Sequence, residues 1–173
     1  DIKIENLGYK NGINKLFSNV NLNIKYGTQV LIYGNSGIGK STIMKILMKY
    51  LSEYEGDIFF GNLNLKDISC ECILENITYV SQNEFLNNES IKDNIICGRN
   101  VDIEEYENVL DICNLKKFRD GNNERNEFLI EEDGFNISGG ERQKIILAKS
   151  ILKKGNYYIF DEALSEVGVK EEI

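Results

Sequence analysis

The sequence predicts an α/β fold, and three observations carry that prediction. Val30-Leu31-Ile32-Tyr33 and Tyr157-Tyr158-Ile159-Phe160 are short continuous apolar runs, as expected of strands covered on both faces in a parallel sheet. The first run passes through glycines into Ile43, Ile46, Leu47, Tyr50 and Leu51, which recur at helical spacing. Ahead of it, Ile2, Ile4, Leu7 and Tyr9, then Val20, Leu22 and Ile24, alternate as in strands with one buried face, predicting an antiparallel β edge.

In chain order, the first alternating strand ends at a turn, Asn11-Gly12, and the second at the corner Tyr26-Gly27. A strand, a glycine loop and a helix then follow in succession. Ile58-Phe59-Phe60 and Ile77-Thr78-Tyr79-Val80 predict two further strands. Ser90 with Asp93 resembles a capping box that opens a short helix through Ile95-Ile96. Ile103, Tyr106, Val109, Leu110 and Cys113 mark a second helix, with Glu104, Glu105 and Glu107 as its acidic outer face. Residues 119–126 are polar, include Gly121 and predict an exposed loop. Ile145, Ile146, Ile151 and Leu152 share one face of a helix that Gly155-Asn156 stops, and the last apolar run ends at Asp161-Glu162.

Composition bounds the function. With 173 residues, 42% hydrophobic and 28% charged, the chain has the size and core of one domain. A net charge of −8 argues against nucleic acid as a partner, because phosphate neutralisation needs a basic face. No run approaches the length of a membrane span, and no basic start precedes an apolar stretch. Asp1 in place of Met suggests a piece of a longer polypeptide. Histidine is absent, which excludes Ser-His and Cys-His catalysis and most zinc chemistry. Cys70, Cys72, Cys97 and Cys113 fit no zinc spacing and are expected to be free thiols in a reducing compartment. Carboxylates, Lys, Ser and a bound metal ion are left to carry any chemistry.

Gly34-Asn35-Ser36-Gly37-Ile38-Gly39-Lys40-Ser41-Thr42 fits the phosphate-binding loop, placed as that motif requires between a strand and a helix. Its glycines let successive N–H groups turn toward phosphate oxygens, and the helix adds its positive end. Lys40 supplies a cation for the β- and γ-phosphates, and the Ser41 hydroxyl is a hard-oxygen ligand for Mg²⁺. Taken alone, a glycine-rich turn before a helix with a surface lysine is the blander account. Asp161, at a strand end, would hold Mg²⁺ through water, and Glu162 would orient or deprotonate an attacking water. Asn136-Ile137-Ser138-Gly139-Gly140-Glu141-Arg142-Gln143 is a second anion-binding helix start, with Ser138 as its cap.

These three elements, in this order, resemble the nucleotide-binding domain of ATP-binding cassette (ABC) transporters over essentially the whole chain. Residues 34–42 match the Walker A motif, residues 157–162 the Walker B motif with its catalytic glutamate, and residues 137–141 the signature, with Ile137 and Glu141 in place of leucine and glutamine. The resemblance implies a P-loop NTPase (RecA-like) core, an antiparallel β edge subdomain and a small helical subdomain. Residues 1–82 would hold the β edge and phosphate-loop core, 83–138 the helical subdomain, and 139–173 the signature helix, Walker B strand and D-loop. Gln82 is similar to the Q-loop glutamine, which touches Mg²⁺ in the family, so Glu162, Gln82 and Lys40 would be catalytic. Gly34 through Thr42 with Ser138, Gly139 and Gly140 would bind ATP, and Ser41, Gln82 and Asp161 would serve the metal.

The implied function is ATP hydrolysis driving export across a membrane. A second nucleotide-binding domain would lie head to tail with the first, a transmembrane domain would sit upstream on the same polypeptide, and the location would be the cytoplasmic face of the cell membrane. Residues 85–96 and 130–134 resemble the exporter subtype, and residues 160–167 bacteriocin or peptide exporters. Two further readings stay open, a nucleotide-binding module without turnover and a soluble non-transport ABC ATPase. The chain departs from the family at Asn11, where an adenine-stacking aromatic stands, with Tyr9 one strand step earlier. It departs again at Gly168, which replaces the D-loop aspartate in Ser165-Glu166-Val167-Gly168. By the same resemblance, a chain ending at Ile173 is expected to lack a central strand and the switch histidine, and on its own to dissolve poorly and hydrolyse ATP negligibly.

Overall fold

The computed structural model describes residues 1–81, 84–118, 129–131 and 135–161. The chain divides into two compact units, Asp1–Ile77 and Thr78–Ile173.

The first unit is built on an antiparallel sheet in the order β2-β1-β3-β4, comprising β1 (Ile2–Asn11), β2 (Asn14–Ile24), β3 (Glu55–Phe60) and β4 (Leu63–Asn64). Asn11 pairs with Asn14 across the predicted tight turn. The alternation of β1 slips by one residue between Ile4 and Leu7, and the structure shows why. Asn6 stands at φ 50°, the pairing with β2 shifts there, and Ile2, Ile4 and Leu7 are all buried. A bulge has moved the apolar set back onto one face. Helix α1 (Lys40–Leu47) buries Ile46 and Leu47. It ends as a Schellman turn, with the Tyr50 N–H donating to the Lys45 carbonyl at 2.8 Å and Lys49 at φ 56°. A second helix, α2 (Cys70–Asn76), is capped by Ser69, whose hydroxyl accepts from the Cys72 N–H at 3.1 Å.

One expected strand is absent. Residues 30–33 have no strand pairing, and Leu31 and Tyr33 are 84% and 87% exposed. A continuous apolar run specifies covering on both faces only if neighbouring strands are there to supply the hydrogen bonds. Among the described residues, none pairs with it as a strand.

In the second unit, which takes in β5 (Ile77–Val80) from Thr78 onward, β5 and β6 (Tyr157–Phe160) form a two-stranded sheet. Its helices are α3 (Ile91–Ile96), α4 (Ile103–Ile112) and α5 (Gly139–Lys153), and α3 and α4 both pack on α5. Ile91, Ile95, Leu110, Leu115, Ile130, Ile145 and Ala148 are almost wholly inaccessible at the centre of this core. The predicted Ser90 cap holds, with the hydroxyl accepting from the Asp93 N–H at 3.0 Å and donating to its carboxylate at 2.6 Å. Strand β6 is covered on one side only. Tyr158 and Phe160 stack at 6.4 Å on its exposed face, where a strand covered on both faces was expected. All four cysteines are free thiols, and burial pushes that of Cys113 up to about 11. Among the described residues, no helix is long and apolar enough to cross a membrane.

Candidate functional site

The phosphate loop lies in the first unit, between the unpaired segment and α1. Gly34, Gly37 and Gly39 all have positive φ, so the loop depends on residues without a Cβ. Gly39 is the most constrained. It stands at φ 105° directly before α1, and a Cβ there would come within 2.7 Å of the Phe17 ring. Phe17 on β2 in turn lies 6.2 Å from the Tyr9 ring on β1. The β hairpin thus lies close against the residue before α1 through Phe17 and Leu16, a proximity that local sequence alone does not reveal. Asn11, two residues on from Tyr9, is exposed at the hairpin end.

Lys40 reaches back across the loop. Its ammonium donates to the carbonyls of Gly34 and Asn35, at 2.8 and 3.1 Å. No side chain caps the N-terminus of α1, so its leading N–H groups have no side-chain acceptor from the cap. Asn35, Ser36, Gly37 and Ile38 are exposed around this end, and Ser41 and Thr42 stand in the first helical turn. A flexible cation, an uncapped helix start and open space at Gly37 suit a polyphosphate anion.

The remaining described site residues lie in the second unit. Asp161 follows β6 directly. Its N–H donates to the Val80 carbonyl at 2.9 Å, and its carboxylate accepts from the Tyr79 hydroxyl at 3.1 Å. Tyr79 therefore helps to aim this carboxylate, a role that sequence reasoning missed. Ser41 in the first unit and Asp161 in the second each offer a hard oxygen of the kind that Mg²⁺ takes alongside water and phosphate. Gln82, Glu162 and residues 165–168 lie outside the described residues, as do residues 119–126.

At the start of α5, Ser138 is the N-cap of a complete capping box. Its hydroxyl accepts from the Glu141 N–H at 3.3 Å and donates to the Glu141 carboxylate at 2.7 Å, and its own N–H donates to that carboxylate at 2.8 Å. Glu141 is also ion-paired with Lys117. Its carboxyl is held down to about 2 by the hydrogen bond from Lys117, then by those from the Ser138 hydroxyl and N–H. Asn136 braces the approach, donating to the Leu129 carbonyl at 2.8 Å and accepting from the Glu131 N–H at 3.1 Å.

Comparison with known proteins bears on the family and the fold. The profile of the ABC transporter family matches residues 17–165. The chain is 34% identical over 95% of its length to the lactococcin-G-processing and transport ATP-binding protein LagD of Lactococcus lactis subsp. lactis, of which it spans 24%. It is 31% identical over 99% of its length to the ATP-dependent lipid A-core flippase of Francisella tularensis subsp. holarctica, spanning 29% of that protein. Among solved structures, a bacterial Atm1-family ABC exporter with ATP bound has the same fold, with a TM-score of 0.89 at 24% identity, covering 97% of this chain and 30% of that one. The chain thus spans about a quarter of the length of these curated relatives.

Proposed function

The chain belongs to the ABC transporter family, and on that premise we propose that it is the ATP-binding and ATP-hydrolysing motor domain of an exporter. The phosphate loop carries the reading, with Lys40 spanning a glycine turn that leads into an uncapped helix. When bound, Mg²⁺ supplies positive charge to the phosphate oxygens, and Ser41, Gln82 and Asp161 are the residues that would hold it. Lys40 would exchange its two loop carbonyls for phosphate oxygens, and the amides of residues 34–42 would orient the chain of phosphates. Glu162 would hold the attacking water and take its proton, the base role that a chain without histidine leaves to carboxylates.

In this reading Ser138, Gly139 and Gly140 contact ATP held by a second nucleotide-binding domain, in a head-to-tail pair. The domain works at the cytoplasmic face of a membrane beside a transmembrane domain, and its cargo is a peptide or another exported substrate. Similarity to a lactococcin-processing and transport protein supports a peptide cargo. The division at residues 82/83 and 138/139 belongs to the same proposal. A nucleotide-binding module without turnover is the competing reading, favoured by Gly168 at the D-loop aspartate position.

Two variants test the proposal. Lys40→Ala should weaken binding of a labelled ATP analogue, and unchanged affinity would remove the phosphate-loop assignment. Glu162→Gln in the intact protein should bind ATP yet abolish turnover, because the amide keeps the shape and loses the base. Sustained hydrolysis by that variant would move the catalytic role elsewhere, and a wild-type protein that binds without hydrolysing would establish the competing reading.

A further inference from the structure

The start of α5 holds an anion of its own. Glu141 occupies the N-terminal end of the helix, taking the Ser138 N–H at 2.8 Å and the Ser138 hydroxyl proton at 2.7 Å on one carboxylate oxygen, Oε2. The other oxygen, Oε1, is taken by the ammonium of Lys117, which stands in the short 3-10 turn Lys116–Phe118. Lys117 is itself placed over the Phe118 ring, 4.9 Å from its centre, and Phe118 is buried in the core.

Gly140 adds an independent observation. Its φ is ordinary for a helix, and a Cβ built there meets nothing within 4 Å. Among the described residues, none comes close enough to require glycine at that position, although glycine in a helix costs about 1 kcal/mol relative to alanine. A close approach from outside the described residues would account for it, and the phosphates of a nucleotide held by a second copy have the matching charge. Such an anion would meet a helix end already carrying the charge of Glu141, where the family's usual residue is a neutral glutamine.

We propose that Lys117 is a positioning residue for the signature turn, neutralising Glu141 so that the leading amides of α5 face ATP without a net opposing charge. This inference rests on the reading of Ser138, Gly139 and Gly140 as a contact for the partner-held nucleotide. Removing the ammonium leaves a full carboxylate charge at the place where the phosphates arrive. The loss falls on assembly of the ATP-bound pair, and chemistry at Glu162 is little affected.

The test is Mg·ATP turnover by the intact protein, read as half-saturating concentration and maximal rate separately. Lys117→Ala should raise the half-saturating concentration by about fivefold with little change in maximal rate, the scale of an exposed charge pair. Lys117→Arg should restore the wild-type value. In a Glu141→Gln background, the same Lys117→Ala change should have almost no further effect, because there is no charge left to neutralise. An equal fold-change in both backgrounds would overturn the proposal in favour of a structural role through Phe118, as would a Lys117→Ala protein that matches wild type. Ser138→Arg separates the two levels of the inference. If it leaves turnover intact, the signature reading itself fails; if it abolishes turnover while Lys117→Ala has no effect, only the role of Lys117 fails.

Discussion

At Asn94 a single buried amide meets four polar groups of the segment that precedes it. Its amide nitrogen donates to the carbonyls of Asn87, Glu89 and Ser90 at 3.0, 3.3 and 3.0 Å, and its oxygen accepts from the Asn87 N–H at 2.8 Å. Asn94→Asp keeps the size but turns an acceptor toward three carbonyls, which should cost about 2 kcal/mol or more in denaturant unfolding. Wild-type stability in that variant would show that the amide is not holding the loop. Glu141 gives a second test at the same scale. Its folded carboxyl lies near 2, below the ordinary 4.5, because Lys117 and Ser138 hydrogen-bond to the charged form. The stabilisation is therefore complete above about pH 4.5 and is lost as the pH falls through about 2. Melting temperature should fall more steeply between pH 5 and pH 2 in wild type than in Glu141→Gln, and parallel acid limbs would refute the coupling.

Strand β3 crosses the bulge of β1 at Gly56, which stands at φ 86° with the Glu5 and Asn6 carbonyl oxygens 2.4 and 2.5 Å from where a Cβ would be. Gly56→Ala combines backbone strain with a clash against main chain that is already paired, so it should destabilise by about 3 kcal/mol or more. Thermal melting of the intact protein measures this, and a loss below about 1 kcal/mol would mean that the bulge relaxes. Strands β1 and β2 were legible in the sequence because alternation survives a bulge as a one-residue slip, as between Ile4 and Leu7. Helix α2 was not, since seven residues burying Ile73 alone offer no period to count. The run at residues 30–33 misled for the opposite reason, because apolar continuity reports composition, and strand formation needs a partner. In the site, residues 34–42 were legible because a phosphate loop is local in sequence. The Tyr79 contact to Asp161 spans 82 positions and the Lys117 contact to Glu141 spans 24, and no spacing rule links either pair.

Across the whole molecule, the phosphate loop belongs to the first unit, while the start of α5 and Asp161 belong to the second. In the proposed head-to-tail pair, each nucleotide is held by the phosphate loop of one copy and the signature turn of the other. Two defective proteins distinguish that arrangement from a site completed within one chain. Lys40→Ala spoils the loop and Ser138→Arg spoils the turn, so a pair made of either variant alone has no intact site. A mixed pair gathers both lesions into one site and leaves the other with an unaltered loop and an unaltered turn. An equal mixture forms mixed pairs half of the time, so about a quarter of the wild-type sites should be restored if copies exchange freely. Retention of labelled nucleotide after rapid dilution, measured in the intact protein, reads this directly. Recovery on mixing is expected. If the mixture traps no more nucleotide than its two components do separately, the site is completed within a single chain, and Ser138 faces something other than a partner's ATP.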